Sequence, residues 1–189
     1  MGGVLDSRSD RGVTMVASAL LARLDARDRA LFTRLSVFET ASRSARMFWM
    51  AVTHLGGVVS SITAAAFPLV TRGPLVPEAR RAVATLVISH VIVQLVKRTV
   101  GRPRPARVLG PVALVVEPDQ FSFPSGHAAA AMSVAIVYAF AFPTLAGVLI
   151  PVAMLVGVSR VCLGVHYPGD VLIGQVIAAL TAVVVLSVR

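Results

Sequence analysis

The sequence is short of charge, of acidic side chains, of aromatics and of cysteine, and each shortage removes a class of protein. Only 14% of its 189 residues are charged, whereas soluble domains carry roughly a quarter. Hydrophobic residues make up 56% and the mean hydropathy is +0.81, which excludes a disordered or fibrous chain and an ordinary soluble domain of this size. The single cysteine, Cys162, permits neither an internal disulfide nor a thiolate-rich metal site and reads as a small packing residue. Aromatics are 6%, and most basic residues outside one loop are interleaved with acids, so nucleic-acid binding has little to build on. Nine acidic residues against 18 basic ones leave a formal charge of +9, which suits an anionic membrane surface or an anionic substrate. The charges are clumped, and the long stretches without any mark an integral membrane protein.

What is present falls into an arm and a membrane-embedded part. Residues 1–46 hold eight Arg and five acidic residues, with Leu20, Leu24, Leu31, Leu35 and Phe38 recurring at helical spacing between them. This reads as an amphipathic arm lying at the interface; Asp6, Asp10, Asp25 and Asp28 spoil the pattern of a cleavable signal. From Met47 to Thr71 no residue is charged, long enough for a first span. Ala82–Val96, flanked by Arg80, Arg81, Lys97 and Arg98, is a shorter second span whose cations snorkel outward. A polar, Pro-rich loop covers about 101–123, and after Asp119 no charge occurs until Arg160. Pro143 divides that run into a hairpin of Ser125–Phe142 and Thr144–Gly164, and Asp170 opens a last segment, Val171–Val188. The expected fold is an all-α polytopic transmembrane helical bundle of five spans plus the arm, with residues 47–189 as the membrane-embedded domain. Basic residues prefer the cytoplasmic side, so the arm puts the amino terminus inside, and five spans return the 97–107 loop to that same face.

Three clusters fall at helix ends on one face. They are Lys97 with Arg104-Pro105, then Pro124-Ser125-Gly126-His127, then Ser159-Arg160 with His166 and Asp170. Three cations from separate elements make a site for a polyanion, and Arg forks match phosphate oxygens in pairs. Ser125-Gly126-His127 opens a helix, where free backbone N–H groups and the positive end of the dipole favour an anion; Gly126 lets the backbone come close and the Ser125 hydroxyl adds a donor. Histidine is the side chain best suited by pKa to act as nucleophile, acid or base near neutrality. Asp170, four residues beyond His166 across a Pro168-Gly169 turn, is placed to orient that imidazole, which makes His166 the nucleophile and His127 the general acid.

Together the clusters resemble, spacings included, the three signature motifs of the type 2 phosphatidic acid phosphatase superfamily, over Lys97–Asp170. The resemblance implies that Lys97, Arg104 and Arg160 bind phosphate with help from Ser125 and the Gly126 backbone. It implies a phosphohistidine on His166, oriented by Asp170, with His127 protonating the leaving oxygen and then activating water, and no metal or other cofactor. The family usually has six transmembrane helices, which leaves the arm as the candidate sixth. The implied activity is that of a lipid phosphatase acting on a phosphate monoester or diphosphate from within a bacterial cytoplasmic membrane. Proteins similar to this one handle polyprenyl diphosphates, phosphatidic acid, phosphatidylglycerol phosphate and decaprenylphosphoryl phosphoribose phosphate, and the motifs do not separate them.

Two rival classes share these residues. Vanadium-dependent haloperoxidases resemble the same motifs but are soluble, and a non-catalytic lipid or anion binder or transporter would not need His127, His166 and Asp170 intact. Outside the motifs, His54 and His90 read as hydrogen-bonded helix-packing residues. Arg98, Arg102 and Arg107 read as attractors of anionic headgroups at the site mouth.

Overall fold

The computed structural model describes residues 23, 25–36, 42–109, 113–115 and 119–188. Leu20, Leu24, Phe38, Asp6 and Asp10 of the arm lie outside the described residues. Helix α1 covers 25–35, α2 Arg43–His54, α3 Val58–Thr71, α4 Val76–Val100 and the short α5 Pro105–Val108. Then come α6 Gly126–Ala141, a 3-10 turn at Pro143–Leu145, α7 Ala146–Cys162 and α8 Pro168–Ser187. The all-α bundle forms as expected, and the only β pairing among the described residues is an isolated bridge between Pro103 and Phe121.

Local chemistry sets the helix ends. Ser42 caps α2 by accepting from the Ala45 N–H at 3.2 Å. α4 starts with a proline in its first turn and stops at Gly101, whose φ of +63° supplies the left-handed C-cap that a residue with a Cβ adopts reluctantly. The predicted domain boundary at 46/47 falls inside α2, which begins four residues earlier.

The stretch Met47–Thr71, expected to form one span, is two helices bent by 42° at a break over residues 55–57. Gly56 lies in the break and permits a close approach there, since a Cβ would stand 2.5 Å from Val156 Cγ1 and 2.8 Å from the His127 carbonyl oxygen. The chain turns where only glycine fits, and this pins the start of α3 to the start of α6. α4, Pro143–Cys162 and α8 are each long and apolar enough to cross a membrane, and α2 with α3 qualifies as a bent pair. α6 is apolar but, at 16 residues, rises only about 24 Å, so a count of five needs both it and the bent pair.

α6 is the hub, packing on α4, α7 and α8. Between α4 and α6 the hydroxyls of Ser89 and Ser133 bond at 2.8 Å within the bundle, a contact of the kind worth about 0.6 kcal/mol in membranes. Val59, Val70, Leu95, Phe140, Leu180 and Val183 point outward, as helices solvated by lipid require. The starts of α3, α6 and α8 and the ends of α4 and α7 thus share one end of the bundle, where all three motifs meet.

α1 rests on that same end. Phe32 is buried, edge-on to Tyr167 at 5.4 Å between ring centroids, whereas Leu31 and Leu35 of the predicted leucine series are exposed.

Candidate active site

The second and third motifs are built as helix starts. Ser125 is the N-cap of α6, its Oγ accepting from the Ala128 N–H at 3.4 Å, which sets Gly126 and His127 in the first turn with amide groups uncommitted to the helix ladder. Pro168-Gly169, expected as a turn, instead opens α8, with Tyr167 as N-cap and Pro168 at the first position that proline favours. Asp170 closes a capping box, its Oδ2 accepting from the Tyr167 N–H at 2.8 Å. The two starts are joined, because Ser125 N–H donates to the Asp170 carbonyl at 2.9 Å. Gly174, one turn further along α8, leaves room for this: a Cβ there would meet Ser125 O at 2.5 Å.

Lys97, in the last turn of α4, is 4% exposed and Arg104, beyond Gly101, is 7% exposed. Both are bridged by Asp119, a residue the motifs do not announce. Lys97 Nζ donates to its carboxylate at 3.0 and 3.2 Å, and Arg104 Nη2 donates at 2.6 Å. Burial pushes the Asp119 carboxyl up, but Lys97 and Arg104 outweigh it and hold the group below the ordinary aspartate range.

Arg104 also reaches the third motif, with Nη1 donating to the Val165 carbonyl at 3.0 Å and standing 3.3 Å from His166 Nε2. His166 is 1% exposed, and its Nδ1 faces Asp170 Oδ2 at 3.7 Å, beyond hydrogen-bond length. Burial, together with the charges of Arg160 and Arg104, pushes its pKa down to about 4 against the opposing pull of Asp170. The ring is therefore neutral at pH 7, and a guanidinium that only donates assigns the lone pair to Nε2 and the proton to Nδ1.

Arg160 is buried at the end of α7, its Nη1 donating to Thr53 Oγ1 at 2.6 Å. A cavity of about 360 Å³ is lined at its polar end by Lys97, Arg104, Gly126, His127 and His166. Ser125, Arg160 and Asp170 of the predicted set are fully buried and do not line it. The cavity continues between α3 and α4 past partly buried Leu86 and the exposed Ile62, Val87 and Val91, so its apolar end opens at the flank of the bundle. Among the described residues no group of three His, Cys, Asp or Glu side chains is placed to hold a metal ion.

Two predictions change. Arg102 is no free headgroup attractor: its guanidinium binds Asp170, Asp28 and Asp25 at 2.6, 2.7 and 2.6 Å. His90 lines the cavity beside Gln94, 3.4 Å away, rather than packing between helices. A charged residue with no counter-ion nearby in sequence was the available signal for the first, and an ionisable group within a span for the second.

The chain is similar to known proteins in sequence and in fold. Residues 78–189 match the PAP2 superfamily. Decaprenylphosphoryl-5-phosphoribose phosphatase of Mycobacterium tuberculosis is 38% identical over 104 residues, 53% of this chain and 55% of that protein. Undecaprenyl-diphosphatase of Sulfolobus acidocaldarius is 35% identical over 106 residues, 53% of this chain and 52% of that protein. The chain thus matches about half the length of these relatives. The crystal structure of Aquifex aeolicus LpxE superposes with a TM-score of 0.72 at 26% identity, covering 83% of this chain and 93% of that one. Sequence match, helical bundle and motif placement converge, and the chain belongs to the PAP2 superfamily.

Proposed function

We propose that this protein is an integral membrane lipid phosphatase that hydrolyses a phosphate monoester or diphosphate through a phosphohistidine. The observation that carries this reading is the two-ended cavity: two cations and two histidines at one end, an apolar flank opening between α3 and α4 at the other. Such a shape takes a lipid from the bilayer by its tail and brings only the headgroup to the cations. The relatives named for phosphatase activity on prenyl-linked substrates support the same class of substrate.

In this mechanism Lys97 and Arg104 neutralise the phosphoryl oxygens, the requirement that dominates phosphoryl transfer, with Arg160 adding positive charge from behind. The Gly126 amide assists at the positive end of α6, whose start Ser125 caps. Nε2 of His166 attacks phosphorus while the ester P–O bond breaks, and His127 gives its proton to the departing oxygen. The cation that forms on His166 is stabilised by Asp170 across Nδ1–H. His127 then takes a proton from water, whose oxygen displaces Nε2 and releases phosphate. Residues 47–189 carry this chemistry, with helix α1 of the arm packed against Arg102 and the start of α8.

Helix α1 touches the α8 start, so it shares a membrane face with the site, and Lys97, Arg98 and Arg107 with Arg27, Arg29 and Arg34 of α1 outnumber Arg72, Arg80 and Arg81 at the opposite end. The positive-inside rule then favours the cytoplasmic face of a bacterial inner membrane.

The test is phosphate release by detergent-purified protein from lipid monophosphates and diphosphates, with EDTA present and His166→Ala in parallel. EDTA-resistant release lost in the variant is expected. Equal rates in both proteins, or none on any lipid, overturn the reading.

A further inference from the structure

Asp170 is wholly buried and does more than face a histidine. Its Oδ2 is held by the Tyr167 amide, and its Oδ1 takes Arg102 Nη1 at 2.6 Å. The same Nη1 contacts Asp28 Oδ2 at 2.7 Å, while Nη2 contacts Asp25 Oδ1 at 2.6 Å. Arg102 also lies over the Tyr167 ring, its Cζ 4.0 Å from the centroid. Asp28 has a second hold on the site, its Oδ1 accepting from the Gly169 N–H at 2.7 Å, an anion at the positive start of α8. Gly169 admits this approach, since a Cβ there would stand 2.9 Å from Asp28 Oδ2. Arg29, one turn away, pairs with Asp25 at 2.7 Å.

We propose that Arg102, anchored by Asp28 and Asp25 of α1, is a positioning residue for the Asp170–His166 pair, which makes the amino-terminal arm part of the catalytic assembly. The inference rests on the phosphatase reading above. Its physical basis is orientation and charge. A buried carboxylate with two oxygens can rotate; Arg102 fixes Oδ1 and so leaves Oδ2 facing Nδ1 of His166. Arg102 also offsets the negative charge of Asp170, which would otherwise draw a second proton onto the imidazole and remove the lone pair that attacks phosphorus. The charged or titratable groups around His166 are Asp170 on α8, Arg160 on α7, Arg104 in the loop after α4 and, across the cavity, His127 on α6. Removing Arg102 leaves Asp170 without its own cation among them. The arm's acids anchor the guanidinium rather than add to its charge, one guanidinium being held by three carboxylates among the described residues.

The experiment uses the full chain in detergent with the variants Arg102→Ala, Arg102→Lys, Asp28→Asn and His166→Ala. Turnover of a lipid monophosphate gives kcat, KM and the pH profile of kcat/KM. Histidine ring NMR on the same proteins follows the titration of His166 and needs no activity. Arg102→Ala is expected to lower kcat by about 100-fold with KM within about twofold, the loss typical of a transition-state interaction removed. The acid limb and the His166 titration move upward by a unit or more and Arg102→Lys restores part of both, whereas Asp28→Asn, which loosens Arg102 but removes a negative charge, costs about tenfold in kcat with no upward shift of the titration.

A wild-type profile and titration in Arg102→Ala overturn the proposal, as does a raised KM at unchanged kcat, which marks a headgroup attractor. In Arg102→Ala a lowered kcat with an unmoved acid limb and His166 titration also overturns it, leaving a scaffold role. If wild type and His166→Ala turn over equally, the phosphatase reading itself falls, and the NMR titration still decides whether Arg102 governs His166.

Discussion

Arg104 Nη1 stands 3.3 Å from Nε2 of His166, and since a guanidinium can only donate, that imidazole nitrogen is held as an acceptor. The remaining proton is thereby directed to Nδ1, on the side of Asp170. One cation from the first motif thus fixes the tautomer of the proposed nucleophile in the third, before any substrate arrives. His166 lines the cavity that also holds Lys97 and His127.

This arrangement predicts an unusual pH response. Burial and the charges of Arg160 and Arg104 lower the His166 pKa from 6.5 to about 4, so the acid limb of kcat/KM is expected near the lower value. The folded protein binds fewer protons than the unfolded chain between these two values. The stability this group contributes is therefore complete above pH 6.5 and is lost as pH falls toward 4. A displacement of this size corresponds to something on the order of 3 kcal/mol. Thermal unfolding of wild type and His166→Gln across that window checks it: the wild type is expected to lose stability more steeply. Parallel curves, with an acid limb at 6.5, are the contrary result.

Asp119 predicts an effect on product. Its carboxylate engages both Lys97 and Arg104, the cations assigned to phosphate, so it competes with any anion for them. Asp119→Asn removes the charge and keeps the size. Inorganic phosphate is expected to inhibit this variant with a Ki about tenfold lower, equivalent to about 1.4 kcal/mol. A Ki that rises instead identifies Asp119 as a support that holds the two cations in place.

Much of this site is legible in the sequence for local reasons. Ser125 reads as a helix cap because serine before an apolar run satisfies open amides, and that fixes Gly126 and His127 in the first turn. Lys97 and Arg104 are found by the charge that interrupts apolar runs. What escapes is pairing at long range. Arg102 lies 74 residues from Asp28 and 77 from Asp25, and Lys97 lies 22 from Asp119; no periodicity links such partners. The break at Gly56 was equally hidden, since an uncharged run shows its length and not its bends. Gly56 matters because the His127 carbonyl and Val156 pass so close, a fact of packing.

Glycine positions give a prediction about packing. Gly174→Ala places a methyl 2.5 Å from the Ser125 carbonyl oxygen, and backbone cannot step aside as a flexible side chain can. α8 and the start of α6 must separate, straining the bond from Ser125 N–H to the Asp170 carbonyl. Destabilisation of about 1–3 kcal/mol is expected, with a loss of turnover, when unfolding and phosphate release are measured in detergent. Gly147→Ala is the control, because nothing approaches within 4 Å of its added methyl and a helix gains from alanine. Equal behaviour of the two variants overturns the packing argument.

The apolar flank predicts a split between substrates. Ile62 and Val87 line the cavity where it opens between α3 and α4, away from Lys97, Arg104 and the histidines. Tryptophan at either position fills the passage without touching the polar end. A long-chain lipid phosphate then has to thread past the indole, so its KM is expected to rise about tenfold or more, whereas a short water-soluble phosphate monoester needs no passage and keeps both kcat and KM. This is the signature of lost uniform binding, since the tail contributes equally before and during phosphoryl transfer. Side-by-side kinetics of Ile62→Trp and Val87→Trp on the two substrates decide it. A matching fall in kcat for both substrates shows instead that the bulk reaches His127 or His166, and equal KM values for the lipid place its tail elsewhere on the bundle.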